Sequence, residues 1–173
     1  MALTLPGRVW AHVEVVPATS RPGVVERYGI RVPTEKPIPT VRVEVEFPAG
    51  LRVADIEASP GWQLSVQTDS GGRPIGAVWE GGSIPAGQAA DFRIRAQNPE
   101  RDTELRWSVI QTYADGSEVQ WIGPPNAAFP AATTRVGGGL PDLTAAVGVV
   151  LAMVAVVVTG LAWRASRRSP QRV

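Results

Sequence analysis

The middle of the chain alternates apolar and polar residues with a period of two. The clearest run is Val41-Arg42-Val43-Glu44-Val45-Glu46-Phe47, which places the valines and Phe47 on one face of a strand and the charges on the other. The same alternation runs through VVERYGIRVP (24–33), WQLSVQTD (62–69), AVWEGG (77–82), ADFRIRAQ (90–97), TELRWSVIQTYA (103–114) and SEVQWIG (117–123). Turn signals separate these runs. Asp115-Gly116 reads as a two-residue hairpin, and Pro48-Ala49-Gly50 and Asp69-Ser70-Gly71-Gly72 read as further turns. No segment here carries a helical period, and no internal repeat is visible. The pattern predicts about eight or nine short strands in an all-β, antiparallel β-sandwich. Trp62, Trp79 and Trp107 are expected in its core, where large aromatic side chains dominate burial.

The pattern changes completely at Leu143. From there to Trp163 the chain reads LTAAVGVVLAMVAVVVTGLAW, 21 residues without a charge. About 20 apolar residues span a bilayer core as a helix. Trp163 suits an interfacial position, and Arg164, Arg167 and Arg168 follow it, which predicts a cytoplasmic tail and an outward-facing domain. The expected organisation is therefore a remnant of a signal peptide at 1–11, an extracytoplasmic sandwich at 12–130, a Gly-rich tether at 131–142, one C-terminal transmembrane helix at 143–163 and a basic tail at 164–173. The opening segment MALTLPGRVWA ends in Val9-Trp10-Ala11, small or apolar positions that fit a cleavage site after Ala11. It is shorter than the roughly 15–30 residues of a signal peptide, so it is read as the end of a longer one. The predicted location is the cell membrane, single-pass, with the C-terminus cytoplasmic.

Charge and composition narrow the chemistry. The formal net charge is +1, but Arg8 and the four tail arginines lie outside the expected domain. Residues 12–142 hold twelve basic against sixteen acidic residues, a net −4. A mildly acidic domain lacks the basic stripe that nucleic acid needs, so no nucleic-acid partner is expected. The chain has no cysteine, which removes disulfides and thiolate metal sites. There is no Gly-rich phosphate loop.

The one histidine, His12, follows Ala11 directly. As an internal residue it is an ordinary solvent-facing strand position. After cleavage at Ala11 it carries a free α-amine beside its imidazole, and the amine nitrogen and Nδ1 together can chelate one metal. The α-amine has a pKa of about 8, so a competing metal displaces its proton at modest cost. Nitrogen and oxygen donors of this kind favour Cu(II). Glu35, Glu26 and Glu14 are the carboxylates to consider. Glu35 lies in a turn-like setting, Glu26 on the preceding strand, and Glu14 too near His12 in an alternating strand to be preferred.

Several motifs occur in order: AHVEVVPA, RVPTEKPIPTVRVEVEFPAG, PGWQLSV, IPAGQAADFRIRAQNP and IQTYADGSEVQWIG. Together they resemble the YcnI-like family of bacterial copper-binding proteins, over roughly residues 11–123. The resemblance implies an extracytoplasmic β-sandwich, cupin-like or immunoglobulin-like, often followed by a membrane helix. It also implies a Cu(II) site built as a monohistidine brace. Carried over to this sequence, the brace histidine is His12, the carboxylate ligand is Glu35 in Arg31-Val32-Pro33-Thr34-Glu35, and the tryptophan beside the metal is Trp121, after Asp115-Gly116. The expected function is a membrane-anchored Cu(II)-binding protein, a chaperone or store in copper homeostasis and not an enzyme, with a copper-transport membrane protein as a partner. The competing readings are a copper-dependent oxidative enzyme and a sandwich used for adhesion or assembly without metal.

Overall fold

The computed structural model describes residues 12–137, which lie in one compact unit. They form eleven strands: β1 (Glu14–Val16), β2 (Thr19–Ser20), β3 (Val25–Pro33), β4 (Thr40–Glu46), β5 (Arg52–Ile56), β6 (Gln63–Thr68), β7 (Pro74–Ile84), β8 (Ala89–Gln97), β9 (Thr103–Tyr113), β10 (Glu118–Trp121) and β11 (Ala132–Val136). One sheet has the order β1-β3-β8-β5, the other β2-β11-β9-β4-β7-β6. Strand β10 also pairs with β9, beyond the stretch that β11 covers, so the two share one edge of β9 in succession.

The inner faces follow the alternation read from the sequence. Val43 and Val45 of β4, Ile30 and Val32 of β3, Phe92 and Ile94 of β8, and Leu105, Trp107 and Val109 of β9 are buried. Aromatic rings carry contacts between the layers. Trp79 and Phe92 lie 4.9 Å apart between centroids, and Tyr28 and Trp107 lie 5.0 Å apart. Trp79 and Trp107 are fully buried as expected. Trp62 is only half-buried and stacks its edge on Phe92 from the rim of the core.

Four features differ from the expectation. First, the sandwich runs past residue 130. Ala132–Val136, expected in the tether, pairs antiparallel with Thr103–Trp107 of β9 and buries Thr134 and Val136. Five residues of mixed polarity carry too little pattern to read alone, and the pairing partner supplies the strand. Second, β11 pairs parallel with β2, so the sandwich is not wholly antiparallel. Third, Val41 does not lie with Val43 and Val45. A bulge between Thr40 and Arg42 hands the interior position to Thr40, which is fully buried. Fourth, the Asp115-Gly116 hairpin closes with three residues in its loop. The Tyr113 N–H donates to Ser117 O, and only Gly116 takes a positive φ, +80°. A two-residue type I′ turn would need both central residues there. Asp115 instead stays at negative φ, and its Oδ1 accepts hydrogen bonds from Ser117 N–H and Oγ–H. The turns at Pro48 and Asp69 form as expected. The transmembrane helix and the segment before His12 lie outside the described residues. Among the described residues no helix is long and apolar enough to cross a membrane.

Candidate metal centre

His12 lies just before β1, at the edge of the first sheet. Val13 and Val15 point into the core and anchor the strand, which leaves His12 and Glu14 on the outer side. The His12 ring meets Trp121 edge to face, with centroids 5.9 Å apart and planes at 62°. Trp121, the last residue of β10, is fully buried, and Phe129 meets it edge to face with centroids 5.3 Å apart. Trp121 is thus both a core residue and the immediate neighbour of the histidine.

Glu35 stands in the loop between β3 and β4 and lines the same cavity as His12, a space of about 810 Å³ walled also by Gln88, Tyr113, Val119 and Phe129. The carboxylate is half-buried, and its Oε1 is withdrawn from water. Glu14 lines this cavity as well. Glu26 does not. It accepts a hydrogen bond from Ser20 Oγ at 2.7 Å, beside the buried Tyr28–Asn98 pair. The structure therefore places His12, Glu14 and Glu35 on one cavity, sets Trp121 against the His12 ring, and leaves Glu26 elsewhere.

The Glu35 loop is held on three sides. At its base, Thr34 N–H donates to Gln88 O at 2.8 Å, and Gly87 N–H donates to Thr34 O at 2.9 Å, so the IPAGQ turn braces it. On the hairpin side, Lys36 Nζ donates to Ser117 Oγ at 2.6 Å and lies 4.4 Å from the Tyr113 ring centroid. Tyr113 lies beneath. Burial raises its phenol above the usual 10.0, the Glu35 charge raises it further, and a hydrogen bond with the Glu35 backbone partly offsets both. Inside the core, Gln111 donates from Nε2 to Pro33 O at 2.8 Å and to Thr40 Oγ1, and accepts from Trp121 Nε1 at 3.1 Å. Thr40 and Thr34 share a hydrogen bond of 2.8 Å between their hydroxyls.

Gln111, Thr34, Thr40, Tyr113 and Lys36 were not singled out from sequence. Gln111 left one signal: it occupies an inward slot of the β9 alternation Leu105, Trp107, Val109, Gln111, Tyr113, where a buried amide needs partners.

The donor set suits a borderline metal such as Cu(II). It offers an imidazole and a carboxylate on one cavity, with no thiol anywhere in the chain. Among the described residues no group of three or more His, Cys, Asp and Glu side chains gathers. His12 and Glu35 by themselves are two side-chain donors, fewer than a closed metal shell needs.

The sequence profile of the family described as "Domain of unknown function (DUF1775)" matches residues 12–136, from His12 to the last residue of β11. The chain belongs to the DUF1775 family. The resemblance to YcnI-like proteins drawn from the ordered motifs holds. "Copper-binding protein CutI" of Bacillus subtilis (strain 168) is 37% identical over 128 residues, 73% of this chain and 62% of that protein, so the match spans less than two thirds of the relative. A crystal structure of an uncharacterized protein from Nocardia farcinica, described as immunoglobulin-like, has a TM-score of 0.64 at 27% identity, covering 73% of this chain and 98% of that one. The sandwich of this DUF1775 domain is thus similar to an immunoglobulin-like fold, the second of the two forms expected.

Proposed function

We propose that this domain binds one copper ion, as Cu(II), through His12 and Glu35 with Trp121 beside it, and that it carries or stores copper outside the cell without catalysing a reaction. The observation that carries the reading is the common cavity of His12 and Glu35 with the Trp121 ring against the histidine. The family relationship to a protein named for copper binding supports it. In this reading the leader is removed after Ala11, and the His12 amine and imidazole chelate the ion while Glu35 supplies an oxygen. A nitrogen and oxygen shell without sulfur holds Cu(II) better than Cu(I), which suits capture in an oxidising space and release on reduction. The apolar run at 143–163 anchors the domain to the membrane, beside a membrane transporter that receives or supplies the ion.

The test isolates the terminus. A protein spanning 12–137 with His12 as its first residue is titrated with Cu(II) against competing chelators. One added alanine before His12 keeps the ring and the net charge but turns the amine into an amide. Cu(II) affinity should then fall by orders of magnitude, and His12→Ala should do similar damage. Equal affinity with and without the added alanine would falsify the chelate.

A further inference from the structure

Gln111 is a fully buried amide in the middle of an otherwise apolar strand face, and its surroundings specify its orientation. An indole N–H only donates and a proline carbonyl only accepts. Gln111 Oε1 must therefore face Trp121 Nε1, at 3.1 Å, and Nε2 must face Pro33 O, at 2.8 Å. The second Nε2 proton goes to Thr40 Oγ1, whose hydroxyl is then directed to Thr34 Oγ1 at 2.8 Å, and Thr34 donates to Ile84 O at 3.2 Å. Every bond in this chain runs donor to acceptor without conflict. Pro33 and Thr40 bracket the loop that carries Glu35, one at the end of β3 and the other at the start of β4. Trp121 ends β10 on the opposite side of β9 from β4. One side chain thus ties both flanks of the Glu35 loop to the ring that packs on His12.

A buried amide that only filled space would cost stability relative to a leucine, because its polar atoms lose water on folding. Here they are spent on two elements that have no backbone pairing with one another. We infer that Gln111 is a positioning residue of the metal centre, setting the Trp121 ring and the Glu35 loop relative to each other without touching the ion. The functional half of this inference rests on the copper reading; the structural half does not.

The variants are made in the 12–137 protein beginning with His12. Gln111→Leu keeps a similar volume and removes all three bonds. Thr134→Val is the comparison, because Thr134 is equally buried, accepts from another core indole, Trp107 Nε1, at 3.2 Å and donates to Pro17 O at 3.1 Å, just past β1, without any link to the Glu35 loop. Three quantities are read: Cu(II) affinity, the electron paramagnetic resonance spectrum of the loaded protein, and hydrogen exchange of the Trp121 indole N–H and the Thr34 amide in the metal-free protein. Gln111→Leu should weaken Cu(II) by about tenfold or more, change the spectrum and speed both exchanges, as loss of an outer-shell partner does. Thr134→Val should lose stability without these changes. Affinity within about twofold of the parent, with spectrum and exchange unaltered, overturns the inference, as does an equal loss in Thr134→Val. Should Gln111→Leu fail to fold, the Thr40 pair decides: Thr40→Val should weaken binding and speed exchange, and Thr40→Ser, which keeps the hydroxyl, should restore both. A parent protein that does not bind Cu(II) refutes the copper reading alone, and the exchange measurements then decide the positioning role.

Discussion

Tyr28 and Tyr113, the chain's two tyrosines, both have their phenols raised above the ordinary 10.0, in each case mainly by burial. For Tyr28, Asn98 opposes the shift and the charge of Glu26 adds to it. For Tyr113, the charge of Glu35 is the second cause. A raised pKa means that the folded protein keeps protons that the unfolded chain would release. The associated stability is fully present below pH 10.0 and is lost as pH rises through the folded values. Phenolate absorbance should therefore appear above pH 10.0 and coincide with loss of the fold. Tyrosine ionisation at the ordinary value in an intact domain would contradict this. Glu35→Gln removes the charge beside Tyr113 and should move that phenol back down, which makes the tyrosine a metal-free reporter of the carboxylate.

At the scale of elements, the candidate centre depends on turns more than on strands. The β7–β8 turn presents Gly87 N–H to Thr34 O, and Gly87 has φ +73° with nothing within 4 Å of where a Cβ would stand. Gly87→Ala therefore has no steric clash, and its penalty comes from the backbone conformation alone, about 1–2 kcal/mol. A chemical-denaturation midpoint should drop accordingly. Cu(II) binding should weaken too, because the turn braces the base of the Glu35 loop. A drop in stability with unchanged binding would mean that the Lys36 and Gln111 contacts hold the loop without the turn. The β9–β10 hairpin acts in the same way from the other side, through Ser117 and Lys36.

For the whole molecule, the described sandwich has its own core, and the family profile ends where β11 ends. The proposed anchor beyond it defines an orientation that can be tested. Protease added to intact spheroplasts should remove residues 12–137 and leave the arginine-rich tail protected. Digestion of the tail from outside would reverse the orientation. Cleavage between the strands should be slow while the sandwich is folded, so release should occur as one fragment.

Period-two alternation is a local property, and it was enough to establish the all-β class, most of the strands and, in β4, the inward Val43 and Val45. The ordered motifs were enough to identify the family and, through the resemblance, to nominate His12, Glu35 and Trp121. The tertiary structure decided what local pattern cannot encode. Whether Thr40 or Val41 faces inward depends on a bulge set by the neighbouring strands β7 and β9. Residues 132–136 form a strand because β9 offers them an edge. Glu26 and Glu35 are equivalent as carboxylates in sequence, and only the packing of the sheets sends one to Ser20 and the other to the His12 cavity. Gln111 meets Thr40 and Pro33 across 71 and 78 residues. A hydrogen bond over that separation exists only once the sheet has formed, so the polarity of Gln111 could mark it as unusual in the sequence, while its partners were determined by the fold.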